Sequence, residues 1–316
     1  MKTFRGAYTA LITPMGENGE VDYDGFRELI RFQMQEGIDG LVPLGTTGET
    51  PTLEEAEEEK LLKIAVKEVR GRIPIIAGAG SNSTKYAVKY VKRARDLGAD
   101  AALVVTPYYN KPNDSGILRH FEAAAVEGGL PVIVYNIASR SGRNIPPALM
   151  EALSRIPGII GVKEASGDLA QIGDIIRDTA GPRKAGGGTF VVFSGDDALT
   201  LPLMALGGDG IISVVSNLIP GRITALVKAC QAGDFAEARR LHYGLLPLIK
   251  AAFIETNPIP IKAAMTWAGL PGGPVRLPLG PLAPENEKRL YRVLEDLGLR
   301  RTAGSKAGAA REPANP

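Results

Sequence analysis

The sequence predicts an α/β fold, a (β/α)8 TIM barrel with a C-terminal helical domain, and three observations lead there. Eight short apolar runs alternate with eight helical patterns over about 230 residues, the count and the length that close such a barrel. The runs are continuously apolar rather than alternating, as parallel strands covered on both faces require. Beyond about residue 233 the alternation stops and only helical patterns remain. A doubly wound open sheet is the competing arrangement, but it rarely needs eight units this regular.

The first run spans 7–14 and ends in Pro14. A polar turn then leads into a helix over 22–36, with Phe26, Leu29, Ile30 and Met34 on one face, Asp22 as N-cap and Gly37 as C-cap. Further runs fall at 40–44, 73–77, 101–106, 130–136, 159–162, 190–194 and 210–215. The helical patterns between and after them lie near 53–70, 83–97, 115–127, 146–155, 168–178, 197–206 and 220–232. The expected division is a catalytic barrel over 1–232, a helical domain over 233–300 and a tail over 301–316. The domain should hold helices over 234–253, 257–268 (behind the breakers Pro258 and Pro260) and 284–297. The tail is rich in Ala, Gly and Pro with little to bury, so disorder is expected.

Composition narrows the function. Lys plus Arg number 37 against 35 for Asp plus Glu, and the basic residues usually sit beside acids, so no nucleic-acid partner is expected. The one cysteine, Cys230, has no internal partner for a disulfide, which suits a reducing compartment. The N-terminus does not read as a signal peptide, and no apolar run is long enough for a bilayer. A cytoplasmic protein without a membrane partner is the expectation.

The strand ends carry the chemistry, because barrels of this type build their sites at the C-terminal ends of the strands. Lys163 interrupts the buried run Ile159-Ile160-Gly161-Val162. Burial disfavours the ammonium form and leaves an amine nucleophile that can condense with a carbonyl. Taken alone, the stretch equally admits a structural Lys163–Glu164 arrangement or a lysine snorkelling at a strand end. Other strand ends supply Gly45-Thr46-Thr47-Gly48-Glu49, Thr106-Pro107-Tyr108-Tyr109-Asn110, Tyr135-Asn136 followed by Arg140, and Gly210-Ile211-Ile212-Ser213. Each has a plain structural alternative: a capped turn, packing aromatics, a surface ion pair. As a set they serve one reaction type. Hydroxyls of Thr46, Tyr109 and Tyr135 can shuttle the protons that Schiff-base formation needs. Amides of the Gly-Thr-Thr-Gly turn suit a carboxylate, and Arg140 can take a second one. The implied substrates are a 2-oxo acid and another small carboxylate-bearing molecule.

Other signals carry less. Gly78-Ala79-Gly80 lacks the third glycine and the ribose-binding acid of a dinucleotide fingerprint, and Gly186-Gly187-Gly188 lacks the rest of a phosphate loop. His120 and His242 are far apart, and no Cys, His or carboxylate spacing suggests a metal, so neither metal nor cofactor is expected. Asp196-Asp197 reads as an N-cap for the next helix rather than a cation site.

These motifs, in order and at similar spacing, resemble dihydrodipicolinate synthase, a branch of the N-acetylneuraminate lyase family of class I aldolases. Ser194-Gly195-Asp196-Asp197, Asn257-Pro258-Ile259-Pro260-Ile261-Lys262 and Arg276-Leu277-Pro278-Leu279 extend the likeness over roughly 5–298. The resemblance implies condensation of pyruvate with L-aspartate 4-semialdehyde, giving 4-hydroxy-tetrahydrodipicolinate for diaminopimelate and lysine biosynthesis. It implies that Lys163 forms the Schiff base, that Tyr135 is the central proton carrier, and that Thr46 and Tyr109 complete the relay. Tyr109 would reach in from a neighbouring subunit of a homotetramer built as a dimer of dimers. Thr47 would hold the pyruvate carboxylate and Gly48 beside it would also bind substrate, Arg140 would bind the semialdehyde carboxylate, and the Ile212 carbonyl would face the ligand.

Two departures stand out. Ala138 replaces a usual proline, which is expected to loosen the loop carrying Arg140. Glu55, Glu58 and Tyr86 occupy positions where lysine-inhibited relatives carry histidines and a glutamate, while Asn82 and Tyr108 are kept; weak or absent lysine feedback is expected. Sister enzymes, the N-acetylneuraminate lyases and keto-deoxy-sugar-acid aldolases or dehydratases, must accommodate long polyhydroxylated chains. The Thr46-Thr47 pair with Arg140 favours a short acidic aldehyde. A non-catalytic barrel that binds a small acid is the reading from another class, and the presence of Lys163 with Tyr135 argues against it.

Overall fold

A computed structural model describes residues 3–179 and 190–299. The triglycine at 186–188 and the 301–316 stretch lie outside the described residues. Eight parallel strands form one sheet: β1 (Gly6–Ala10), β2 (Gly40–Val42), β3 (Ile76–Gly78), β4 (Ala101–Val105), β5 (Val132–Asn136), β6 (Ile159–Glu164), β7 (Val191–Ser194) and β8 (Gly210–Ser213). Their order is β2-β1-β8-β7-β6-β5-β4-β3, and a parallel bridge between Leu41 and Ile75 joins the two ends. The sheet is therefore a nearly closed (β/α)8 barrel.

Helices α1 (Tyr23–Gln35), α2 (Glu55–Val69), α3 (Thr84–Asp96) and α4 (Asp114–Val126) ring the first half. Helices α5 (Ala138–Ser141), α6 (Pro147–Ser154), α7 (Leu169–Thr179), α8 (Thr200–Ala205) and α9 (Pro220–Gln231) ring the second. Helices α10 (Phe235–Ala252), α11 (Ile259–Trp267) and α12 (Pro284–Asp296) follow without intervening strands. Asp22 caps α1 by accepting from the Gly25 amide at 2.8 Å, as the sequence suggests. Glu36 is its C-cap, and Gly37 stands one residue further on in the left-handed region. Asp234 likewise caps α10 through the Glu237 amide.

Side chains alternate between two layers, so the strands are apolar throughout. Tyr8, Val42, Ile76, Leu103, Ile133, Tyr135, Phe193 and Ile212 fill the barrel interior. Ala7, Leu41, Val104, Val134, Val162 and Val192 face the helices. Tyr8 and Phe193 meet edge to face at 5.1 Å. Gly40 leaves room for this plug, since a Cβ there would lie 2.1 Å from the Tyr8 ring. At the opposite end from the site, three aspartates make the same bond. Asp39, Asp100 and Asp209 accept from the amides of Ala7, Ile75 and Val192, each on a neighbouring strand or just ahead of one.

The third strand differs from the expectation of 73–77 by starting and ending later. Pro74 has no N–H to give a ladder, and its carbonyl accepts from the Leu41 amide at 3.0 Å. The strand instead runs into Gly78, where any side chain would strike the Leu44 carbonyl at 1.7 Å. Gly78 and Gly80 are there for close packing between strands.

Candidate active site

Lys163 lies on β6 in register with Tyr135 of β5 and Phe193 of β7, both of which point into the barrel. Its Nζ sits 4.4 Å from the centre of the Tyr135 ring, and the residue is 5 % exposed. Glu164 points the other way. It accepts from Asn136 Nδ2 at 2.9 Å and from the Ser166 amide at 2.7 Å, so the two neighbours do not form a structural pair. None of the ion pairs among the described residues involves Lys163. Burial lowers its pKa to about 8; the nearby Asp197 carboxylate opposes this and the Arg140 charge assists it. About one-tenth of the amine is then uncharged at pH 7, against less than about one in a thousand for an ordinary lysine. Imine formation with a keto acid, followed by rapid reductive trapping, should accelerate as pH rises and level off above about 8. A rate flat down to pH 6 would contradict the buried neutral amine.

Tyr135 is buried, which pushes its phenol up to about 12, while the Arg140 charge and a hydrogen bond with Thr46 moderate the rise. The phenol therefore keeps its proton at neutral pH. Thr46 and Thr47 open a single 3-10 turn, Thr46–Gly48. The Gly48 amide closes that turn onto the Gly45 carbonyl at 3.0 Å, and the Gly48 carbonyl accepts from Thr13 Oγ1 at 2.7 Å. Among the described residues neither the Thr46 nor the Thr47 amide has a protein acceptor, so these two are open to an anion.

Arg140 sits on α5, a four-residue helix with no amphipathic period to announce it. Its guanidinium donates to the Asn257 carbonyl at 3.0 Å. The loop is closed by its own bonds despite Ala138: the Ser141 amide and Oγ both donate to the Ile137 carbonyl at 2.9 Å, and Gly142 donates to Ala138. Asn136 Oδ1 secures the far end through the Ile145 amide at 3.0 Å. Ile212 lies in β8 beside Tyr8, with its side chain in the interior.

Tyr109 is the residue that this chain does not bring to the others. It is 89 % exposed, with a left-handed backbone at φ 70°. Lys163, Tyr135, Thr46, Thr47 and Arg140 converge; Tyr109 stands outside them.

Three features carry more than their sequence reading. Asp196 caps the turn at Ala198, but Asp197 turns inward and accepts from Ser213 Oγ and the Val214 amide. Its burial raises it to about 6, and it acts on Lys163 electrostatically. Glu49 follows the threonine turn and pairs with Lys262 Nζ at 2.6 Å, each side chain 1 % exposed. Asn257 donates to Thr47 Oγ1 at 2.9 Å. Both C-terminal partners sit in the Asn-Pro-Ile-Pro-Ile-Lys stretch, where a polar residue at each end of an apolar, proline-rich segment was the available signal.

A parallel barrel with a buried lysine of lowered pKa beside a protonated phenol at its strand ends is the arrangement of a Schiff-base-forming enzyme. Residues 3–297 match the Dihydrodipicolinate synthetase family, and the chain belongs to it. It is 49 % identical over 293 residues to the 4-hydroxy-tetrahydrodipicolinate synthase of Protochlamydia amoebophila, covering 93 % of this chain and 96 % of that one. The dihydrodipicolinate synthase structure from Aquifex aeolicus superposes with a TM-score of 0.88 at 45 % identity, covering 94 % of this chain and 99 % of that one. A structure described as a monomeric dihydrodipicolinate synthase variant superposes with a TM-score of 0.90 at 41 % identity, covering 94 % of this chain and 97 % of that one.

Proposed function

We propose that this chain condenses pyruvate with L-aspartate 4-semialdehyde to 4-hydroxy-tetrahydrodipicolinate, for diaminopimelate and lysine biosynthesis. The observation that carries the reading is the buried Lys163 amine held 4.4 Å from the Tyr135 ring, with two amides on the neighbouring threonine turn that have no protein acceptor among the described residues. Lys163 Nζ adds to the keto carbon of pyruvate, whose carboxylate rests on the Thr46 and Thr47 amides and the Thr47 hydroxyl. Tyr135 protonates the carbinolamine oxygen, which leaves as water, and Thr46 returns a proton to the phenol. The Tyr135–Thr46 pair takes up a methyl proton to give the enamine, and it returns a proton to the aldehyde oxygen as the enamine carbon bonds to the aldehyde carbon. The second substrate's amine then adds to the imine carbon, closes the ring and expels the Lys163 amine. No cofactor or metal enters the balance. A cytosolic location accords with the single, unpaired Cys230.

The substrate test compares turnover of aspartate semialdehyde with that of keto-deoxy-sugar acids and N-acetylneuraminate. Preference for the semialdehyde supports the reading; preference for a sugar acid moves the chain to a sister activity. Arg140→Ala should lower kcat/KM for the semialdehyde by about 10²-fold, the loss expected for a charge-assisted bond, with trapping of pyruvate changed little. Equal loss of both steps would contradict its role.

The relay is complete in a homotetramer made of two dimers, where a neighbour's Tyr109 fills the place that this chain's own Tyr109 leaves. Its exposure and left-handed backbone are those of a side chain offered outward, next to the exposed Tyr108. Leu169 at the start of α7 and Leu206 just after α8 are exposed leucines, which we assign to a separate face for pairing dimers. Sedimentation should give the mass of four chains, and Leu206→Asp should give dimers. A monomer with full activity would remove the shared relay.

Two ion pairs support the expectation of weak lysine feedback. Glu55 is bound by Lys89 Nζ at 2.6 and 2.8 Å, and Glu58 is paired with Arg93 out of solvent. The acids that would receive a lysine ammonium already hold the chain's own cations. Initial rates should be unchanged by sub-millimolar L-lysine; clear inhibition would contradict this.

A further inference from the structure

One residue of the C-terminal helical segment touches both anion positions of the site. Asn257, buried just ahead of α11, donates through Nδ2 to Thr47 Oγ1 at 2.9 Å, and its main-chain carbonyl accepts from Arg140 Nη2 at 3.0 Å. Its Oδ1 is buried and has no partner among the described residues. We infer that Asn257 is a positioning residue for the first substrate: its amide occupies a lone pair of the Thr47 hydroxyl and so leaves that hydroxyl's hydrogen for the pyruvate carboxylate. The inference rests on the role given to Thr47 above.

Polarity decides which partner donates in this bond. A threonine hydroxyl has one hydrogen and two lone pairs. With the Asn257 amide as donor, the Thr47 hydrogen must point elsewhere, and Thr47 Oγ1 donates to no protein acceptor among the described residues. An anion over the Thr46 and Thr47 amides would receive it as a charge-assisted bond. The reverse amide orientation would absorb that hydrogen into Oδ1 and turn a lone pair toward the anion. The unpaired Oδ1 is the cost of the productive orientation. Five residues on, Lys262 holds the same turn through Glu49, so the hydroxyl is aimed from a fixed platform.

The test is a pyruvate titration of borohydride trapping at Lys163. It covers the unaltered chain, Asn257→Ala, Asn257→Asp, Thr47→Val and the combination of Asn257→Ala with Thr47→Val. Thermal unfolding and the KM for aspartate semialdehyde are measured alongside. Asn257→Ala should raise the half-saturating pyruvate concentration about tenfold. Asn257→Asp, nearly isosteric and so the safer variant for folding, should raise it further, by about 10²-fold, because its carboxylate takes the Thr47 hydrogen and adds a like charge. The semialdehyde KM should move less than about threefold, since the Arg140 bond goes to a main-chain carbonyl that all variants keep. In the Thr47→Val background, Asn257→Ala should cost less than about twofold more. Normal pyruvate saturation in Asn257→Asp, or equal losses in both Thr47 backgrounds, would overturn the inference alone. Absence of an adduct in the unaltered chain would overturn the functional reading with it.

Discussion

Tyr135→Phe should lower kcat by about 10²- to 10⁴-fold, the range for removal of a positioned proton carrier. The substitution deletes one oxygen from a ring that still packs among Ile133, Phe193 and Ile212, so the fold should hold. What is lost is the hydroxyl of the ring that lies 4.4 Å from the Lys163 amine, the proton carrier of the proposed reaction. Dehydration of the carbinolamine should become rate-limiting, and stopped-flow trapping should show the imine forming more slowly by a similar factor. Saturation with pyruvate should change little, because the proposed carboxylate contacts, on the threonine turn, do not involve Tyr135. A tenfold-or-smaller effect on kcat would mean that water or another group carries the proton.

Lys262→Ala should destabilise the protein by about 3–5 kcal/mol, the loss typical when one partner of a buried ion pair is removed. Lys262 Nζ bonds Glu49 Oε1 and the Pro274 carbonyl, both at 2.6 Å. Glu49 Oε2 accepts the Arg276 amide at 2.9 Å, and the Arg276 guanidinium bonds both oxygens of Glu57 at 2.6 Å. Removing the ammonium strands a carboxylate with almost no contact with water. Glu49 also has φ 58°, a strained backbone at the end of the threonine turn, and the pairing helps hold it there. Urea unfolding at fixed protein concentration measures the loss, and pyruvate affinity should fall with it. Combining Lys262→Met with Glu49→Gln should recover much of the stability, because no charge is then left unpaired. A loss under about 1 kcal/mol for Lys262→Ala would show that the pair is not a structural anchor.

The barrel was legible because its signal is local and repeated: each strand is a short run apolar on both faces, and each is followed by an amphipathic helix. Lys163 and Tyr135 were legible for the same reason. A lysine set inside a buried run and a tyrosine at the end of another stand out against their neighbours, and the barrel rule places both at one end. Strand β3 was displaced because apolarity alone does not mark where Pro74 interrupts the ladder or where Gly78 and Gly80 admit close neighbours. Helix α5 was missed because four residues carry no period. The C-terminal supports were recognised only as motif, without roles. Asn257 lies 210 positions from Thr47 and Lys262 lies 213 from Glu49, and no reading of local pattern assigns such partners. Asp197 read as a cap because Asp-Asp before a helix usually is one; only the strand geometry separates the capping Asp196 from the inward Asp197.

The most direct measurement is a peptide map after incubation with pyruvate and borohydride. One modified peptide, bearing its adduct on Lys163 and absent from the Lys163→Ala variant, is the predicted result. No adduct, or modification confined to solvent-exposed lysines such as Lys89 or Lys63, would contradict a reaction built on a nitrogen shielded inside the barrel.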